Sequence, residues 1–213
     1  MARPRSDGYA DQHQQVLAAA AQLFASRGYT ATTMQQVAAA CGLSKPTLYH
    51  YVRDKHDLLA QITSEHVARL EALQASVAAL ALPPPQQLRE LVQRFLWVYA
   101  SAGAQHRVLT EDVKFLAEAP RQAVLAAQRR VVHGFAQVVL AVRPDLREPG
   151  LGTPLAMLLL GMMNWTFTWM KPGGALDYDS LAPIVSDLFF GGIGTVATTA
   201  GFTPTAANSD SVR

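Results

Sequence analysis

Ser44, Lys45, Thr47, Tyr49, His50 and Tyr51 crowd hydroxyls, a cation and aromatic rings into one short segment, with Lys55 just beyond it. Those side chains suit a polyanion. A lysine reaches a guanine edge or a phosphate, and a threonine hydroxyl donates to a phosphate oxygen. Pro46 and the Tyr49 ring offer apolar contact to a thymine methyl. Groupings suited to catalysis are weaker: His106 lies near Glu111 and Asp112, and His133 lies near Arg129 and Arg130. None has the spacing of a metal site, a nucleophile elbow or a phosphate loop. Gly191-Gly192-Ile193-Gly194 lacks both a preceding strand and the lysine of a phosphate loop. Cys41 is the single cysteine, which excludes an internal disulfide and a cysteine-rich zinc site. No enzyme activity, cofactor or metal is expected.

The elements that must present the polar segment are helices, because apolar residues recur at helical spacing and strand signals are nearly absent. Residues 1–10 read as a mobile basic arm with Arg3 and Arg5. A first helix runs from about Asp11 to Arg27, and Gly28 closes it. Thr33 with Gln36 three residues on forms a capping box for a short second helix that ends at Cys41, where Gly42 supplies the turn. Ser44 caps a third helix from Lys45 to about Val52, and Pro46 is tolerated in its first turn. Two short helices joined by a glycine turn form a helix-turn-helix, whose second helix enters a major groove. Asp54 opens a fourth helix, reaching Leu80, with Leu59, Ile62, His66, Leu70, Leu73 and Val77 on one face. Beyond Pro83-Pro84-Pro85, helices are expected near 85–102, 105–117, 120–142, 153–170 and 179–199, giving an all-α chain of about nine helices. The division follows: a basic arm over 1–10, a DNA-binding head over 11–57, a body over 58–200 and a polar tail over 201–213.

From Val16 to Ile62 the sequence resembles the TetR-family DNA-binding domain. The shared elements, in order, are Leu23-Phe24, Arg27-Gly28-Tyr29, Thr32-Thr33, Val37-Ala38, Gly42, Ser44-Lys45, Thr47-Leu48-Tyr49-His50-Tyr51 and Lys55-His56-Asp57-Leu58-Leu59. The resemblance implies that Thr33, Thr47, Tyr51 and Lys55 position phosphates, and that Lys45, Pro46, Tyr49 and His50 read or approach bases. Gln35 and Gln36 stand where many members carry a basic or acidic residue. Gln35 and Ser44 complete the expected DNA-facing set. Tyr29 and Cys41 read as packing residues, and Leu48 and Val52 as core. The resemblance also implies a homodimer on a near-palindromic operator of double-stranded DNA.

The last two helices are apolar nearly all round and so must be buried. Gly191, Gly192, Gly194 and Ala197 leave room for a second helix, so a four-helix dimer interface is expected from about 153–170 and 179–199. Aromatic residues concentrate after Pro85: Phe95, Trp97, Tyr99, Phe115, Phe135, Trp165, Phe167 and Trp169. Such a lining with a few polar groups suits a ligand pocket. The candidate ligand contacts are Trp97, His106, Phe115, Arg129, Met163, Asn164, Trp165 and Trp169, with Arg130 nearby. The runs Met162-Met163-Asn164-Trp165 and Trp169-Met170-Lys171-Pro172-Gly173-Gly174 are similar to the C-terminal part of TetR-type regulators of fatty-acid, aromatic and sterol degradation. That similarity implies an acyl-CoA or an aromatic acid as effector, and a repressor that ligand releases. A constitutive DNA-binding module without a sensor is the competing reading.

Composition agrees with a folded helical regulator. Of 213 residues 50% are hydrophobic and 16% charged, with a net charge of +2. The first sixty residues hold six Lys/Arg against four Asp/Glu and the remainder twelve against twelve, so the whole excess sits at the N-terminus. Met1 to Gln15 is polar, and Leu155 to Met170 is interrupted by Asn164, Thr166 and Thr168. A cytoplasmic protein without signal peptide or membrane span is expected.

Overall fold

Capping chemistry sets the first elements of the chain. The computed structural model describes residues 7–148, 150–171 and 173–196. Helix α1 (Asp7–Arg27) begins four residues earlier than the sequence pattern suggests, so Asp7–Ala10 of the expected arm are helical. Arg3 and Arg5 lie outside the described residues, as does the tail from 197 onward. In α2 (Met34–Ala40) the capping box forms: Thr33 Oγ1 accepts the Gln36 N–H at 3.3 Å, and the Thr33 N–H donates to Gln36 Oε1 at 2.8 Å. Ser44 caps α3 by accepting the Thr47 N–H at 3.2 Å. The α-helix proper covers only Lys45–Leu48, not the stretch to Val52. His50 and Tyr51 continue it by donating to carbonyls three residues back, the tighter turn that commonly finishes a helix.

Asp54 caps α4 (Lys55–Ala78), whose 24 residues span about 36 Å. Its end falls before Leu80, which is exposed, because Ala81 turns into the left-handed region at φ +50° ahead of the prolines. The body continues with α5 (Pro84–Ser101), α6 (Gly103–Glu111), a 3-10 turn at Val113–Phe115, and α7 (Glu118–Val142). A second 3-10 turn at Pro144–Leu146 leads to α8 (Gly152–Asn164), α9 (Thr166–Trp169) and α10 (Tyr178–Ile193). Among the described residues every regular element is helical, and all nine expected helices occur. The eighth is broken at Trp165, making ten segments. At the break the Thr168 N–H donates to the Trp165 carbonyl in a tighter turn, with Thr166 Oγ1 donating to the Met163 carbonyl at 2.7 Å and Thr168 Oγ1 to the Trp165 carbonyl at 2.6 Å. Hydroxyls of this kind compete with the helical backbone ladder.

One hydrophobic core runs through the molecule. Val16, Phe24, Val37, Leu48 and Val52 fill the head, and Phe95, Phe135, Val139 and Leu159 fill the body. Helix α4 belongs to both, with Leu58, Leu59 and Ile62 in the head and Val67, Leu70 and Val77 in the body. Helix α6 packs against α1 and α4, and α7 against α4 and α8. Among the described residues no helix is long and apolar enough to cross a membrane.

The turn between α2 and α3 depends on Gly42, at φ +65°, where an added Cβ would meet open space. Gly42→Ala therefore isolates backbone strain, expected to cost about 1 kcal/mol in urea unfolding. Ala81→Gly, at a left-handed position already occupied by a residue with a Cβ, should cost nothing by the same measurement.

Candidate nucleic-acid interface and effector cavity

Leu48 and Val52 anchor the third helix inward, and that fixes what faces out. Ser44, Lys45, Pro46, Tyr49 and His50 are exposed, with Tyr49 retaining 45% of its surface. Thr33 and Gln35, on the neighbouring helix, are exposed beside them. Thr47 is half-buried and its hydroxyl shares a 2.7 Å hydrogen bond with Ser44 Oγ. Tyr51 is half-buried against Tyr9 of α1, ring centroids 4.8 Å apart, while Tyr9 donates its hydroxyl to the His50 carbonyl at 3.1 Å. Tyr9 was not among the residues singled out from the sequence, where it fell in the expected arm. It braces the far end of the recognition segment onto α1.

Lys55 takes a different position from a surface cation. Its ammonium donates to the carbonyls of Tyr29, Thr30 and Thr32 at 3.0, 3.3 and 3.0 Å, so all three protons are engaged within the chain. The same ammonium lies 4.5 Å from the centroid of the Tyr29 ring. Tyr29 is buried, with its hydroxyl 3.0 Å from His56 Nδ1. Burial raises the Tyr29 phenol above its ordinary value, with the carboxylates of Asp54 and Asp112 adding to the effect. Phe115, from the turn after α6, stacks on this ring at 5.1 Å. The structure thus places Phe115 where head meets body and not with the ligand candidates.

Between α4, α6, α7 and α8 lies a cavity of about 350 Å³. Val67, Leu70, Leu109, Val131 and Leu160 form its apolar walls. Tyr99, His106, Thr110, Gln128 and Asn164 supply the polar groups, and Trp165 completes the lining. Of the eight ligand candidates the cavity brings together His106, Asn164 and Trp165. Met163 is fully buried core, and Arg129 is exposed on α7. Trp97 and Trp169 are exposed at the surface, and Trp97 donates to Asp179 Oδ1 at 3.1 Å.

The polar groups are linked. Tyr99 donates its hydroxyl to Asn164 Oδ1 at 2.9 Å and stacks on the His106 ring with centroids 3.6 Å apart. His106 Nδ1 lies 3.3 Å from Nε2 of His66, which projects from α4. The other ring nitrogen, His106 Nε2, is buried without a hydrogen-bond partner. Burial pushes the His106 imidazole down to about 3, with a contribution from His66, and pushes His66 down to about 4, with a contribution from Arg69. Both rings are neutral at physiological pH. Sequence pattern put His66 on the apolar stripe of α4 but gave no sign of its partner across the fold.

Outside the cavity, α8 and α10 present an outward stripe of apolar residues. Leu158 and Leu188 keep 65% and 66% of their surface, flanked by Met162 and Ile184. At Gly161, Gly191 and Gly192 an added Cβ would meet nothing within 4 Å. The expected interface glycine Gly194 follows α10, and Ala197 lies outside the described residues.

A helix-turn-helix head on a helical body with its own cavity is the architecture of a DNA-binding regulator. Residues 16–62 match the family pattern of bacterial regulatory proteins of the tetR family, and residues 81–193 match the tetracyclin repressor-like C-terminal domain. The chain belongs to the TetR family of transcriptional regulators. It is 31% identical to a TetR-family transcriptional regulator from Bordetella parapertussis 12822, with a TM-score of 0.81 over 88% of this chain and 98% of that one. The HTH-type transcriptional repressor KstR2 of Mycolicibacterium smegmatis is 22% identical over 86% of this chain and 91% of its own length. The AibR structure, in complex with isovaleryl coenzyme A and operator DNA, shares the fold with a TM-score of 0.72 at 24% identity, over 83% of this chain and 97% of that one.

The neutral histidine pair links stability to pH. An unfolded histidine takes a proton near pH 6.5, whereas the folded pair resists protonation until about pH 4 and 3. The unfolded chain therefore gains protons first, and stability present above pH 6.5 is lost as the pH falls toward 4. Urea unfolding across this range is expected to show a decline on the order of a few kcal/mol. His66→Gln with His106→Gln should flatten it, leaving only the part due to other groups.

Proposed function

We propose that the chain acts as a homodimer that represses transcription from a near-palindromic operator and is released by a small apolar or acyl-CoA-type effector. In this reading residues 1–57 form the DNA-binding arm and head, residues 58–200 the sensing and dimerising body and residues 201–213 the tail, all working in the cytoplasm beside the chromosome. The observation that carries it is the outward set Lys45, Pro46, Tyr49 and His50, held by Leu48 and Val52 inside and by Tyr9 at one end. Lys45, Pro46, Tyr49 and His50 meet base edges, with Gln35 approaching from α2. Thr33, Ser44, Thr47 and Tyr51 meet phosphates, and Lys55 supports them by holding the loop before α2.

Dimerisation is supported by the α8–α10 stripe. An isologous pair would bury Leu158, Met162, Ile184 and Leu188 against their own copies, with the glycines admitting close backbone approach. Two heads would then stand about one DNA turn, or 34–36 Å, apart. The effector site is the cavity containing His106, Asn164 and Trp165, and the acyl-CoA preference draws on the isovaleryl coenzyme A bound by AibR. Helix α6 carries His106 into that cavity and packs on α1 and α4, while Phe115 behind it touches Tyr29. An effector shifts the head only by binding one arrangement of these helices better than the other.

The test uses DNA flanking the protein's own gene that contains an inverted repeat, titrated by fluorescence anisotropy. Wild type is expected to bind it in preference to scrambled DNA. Tyr49→Ala should weaken that binding by about 1–3 kcal/mol, while leaving binding to scrambled DNA little changed. Leu188→Glu places like charges face to face at the dimer axis. It should give a folded monomer in sedimentation and abolish operator binding. Tyr49→Ala binding like wild type, or a monomeric wild type, would overturn the proposal.

A further inference from the structure

The cavity carries a chemical preference that the reading of it as an effector site leaves open, and the inference below rests on that reading. Its lining holds five polar side chains and, among the described residues, no lysine, arginine, aspartate or glutamate. A free carboxylate placed there would lose its hydration without gaining a counter-charge, a cost that favours excluding it. The two histidines could offer a compensating cation only by taking a proton, and burial holds both neutral.

What the lining does offer is hydrogen bonding without charge. One proton is shared between His66 Nε2 and His106 Nδ1, so the pair has two tautomeric forms. With the proton on His66, His106 Nε2 carries its own proton and donates. With the proton on His106 Nδ1, Nε2 is bare and accepts. This nitrogen is buried and unpartnered on a cavity-lining residue, a situation that costs free energy until something bonds to it. Asn164 adds a donor: its Oδ1 takes the Tyr99 hydroxyl, which leaves the amide NH₂ available. Thr110 has its hydroxyl committed to the His106 carbonyl at 2.8 Å, which holds the helix and leaves the ring as the responsive group.

We infer that the cavity accepts an uncharged oxygen group on an apolar body, either a hydroxyl or a ketone, ester or thioester carbonyl, and discriminates against a free carboxylate. Its oxygen bonds His106 Nε2 and the Asn164 amide, while the apolar body lies along Val67, Leu70, Val131 and Leu160. The tautomer of the histidine pair adapts to the oxygen, so both a hydroxyl and a carbonyl are accommodated. Within the effector classes above this selects a thioester, whose charged portion stays outside, over a free aromatic acid.

Isothermal titration calorimetry on the full chain at pH 7.5 separates the possibilities at equal chain length. The probes are octan-1-ol, octan-2-one, S-ethyl octanethioate and sodium octanoate. The three neutral probes are expected to bind, and octanoate at least about tenfold more weakly. His106→Leu and Asn164→Ala should each weaken the neutral probes by roughly fivefold to tenfold, the worth of one hydrogen bond. Two separate positions keep the test alive if one variant fails to fold, which a thermal melt would reveal. Octanoate binding as tightly as the alcohol and ketone, or both variants binding the neutral probes like wild type, would overturn the inference while leaving an effector cavity in place. Silence from all four probes would remove the inference and the effector reading together.

Discussion

Continuous burial along one face of α4 is the constraint on which the molecule depends. Leu58, Leu59 and Ile62 close the head, and Val67, Leu70 and Val77 close the body. A single stiff helix therefore cannot move in one core without being felt in the other. A polar pair, His66 with His106, lies at its midpoint. The pair sits where the head's packing gives way to the cavity, on the two helices that meet there. A core of this kind tolerates few unpaired polar atoms, and the unpartnered nitrogen His106 Nε2 is such an atom.

Much of the head was legible because its signals are local. The capping box of Thr33 and Gln36, the Ser44 cap, and the glycines after α1 and α2 each act within a few residues, and each appears in the structure. The family resemblance over Val16 to Ile62 coincides with the matched pattern at 16–62. Helix ends were less legible. The third helix tightens after Leu48 and the eighth breaks at Trp165, both through hydrogen bonds three residues back that periodicity does not encode.

Side-chain destinations were legible only where burial and pattern agree. Lys55 reads as a surface cation by type, but its stem folds back to three carbonyls of a loop more than twenty residues earlier. Phe115 and Trp97 read as pocket aromatics by composition, yet one stacks on Tyr29 and the other sits at the surface bonded to Asp179. His106, Asn164 and Trp165 do meet at one cavity. Their companions Tyr99, Gln128 and Thr110 come from three different helices, and only the three-dimensional packing assembles them.

The commitment of Lys55 to backbone carbonyls has a thermodynamic consequence. Of the four basic residues described in the head, Lys55 is occupied in this way and Arg53 is paired with Asp57 at 3.2 Å, leaving Arg27 and Lys45 without an acidic partner among the described residues. Each phosphate neutralised by a cation releases condensed counterions, and the number released sets how steeply affinity falls with ionic strength. Among the described residues of the head, Arg27 and Lys45 are the cations open to that release, with the exposed Arg53 shared with Asp57. In the described head the uncharged hydroxyls and amides of Thr33, Gln35, Ser44 and Thr47 surround Lys45, so much of what this surface can offer a phosphate or a base edge is hydrogen bonding without charge.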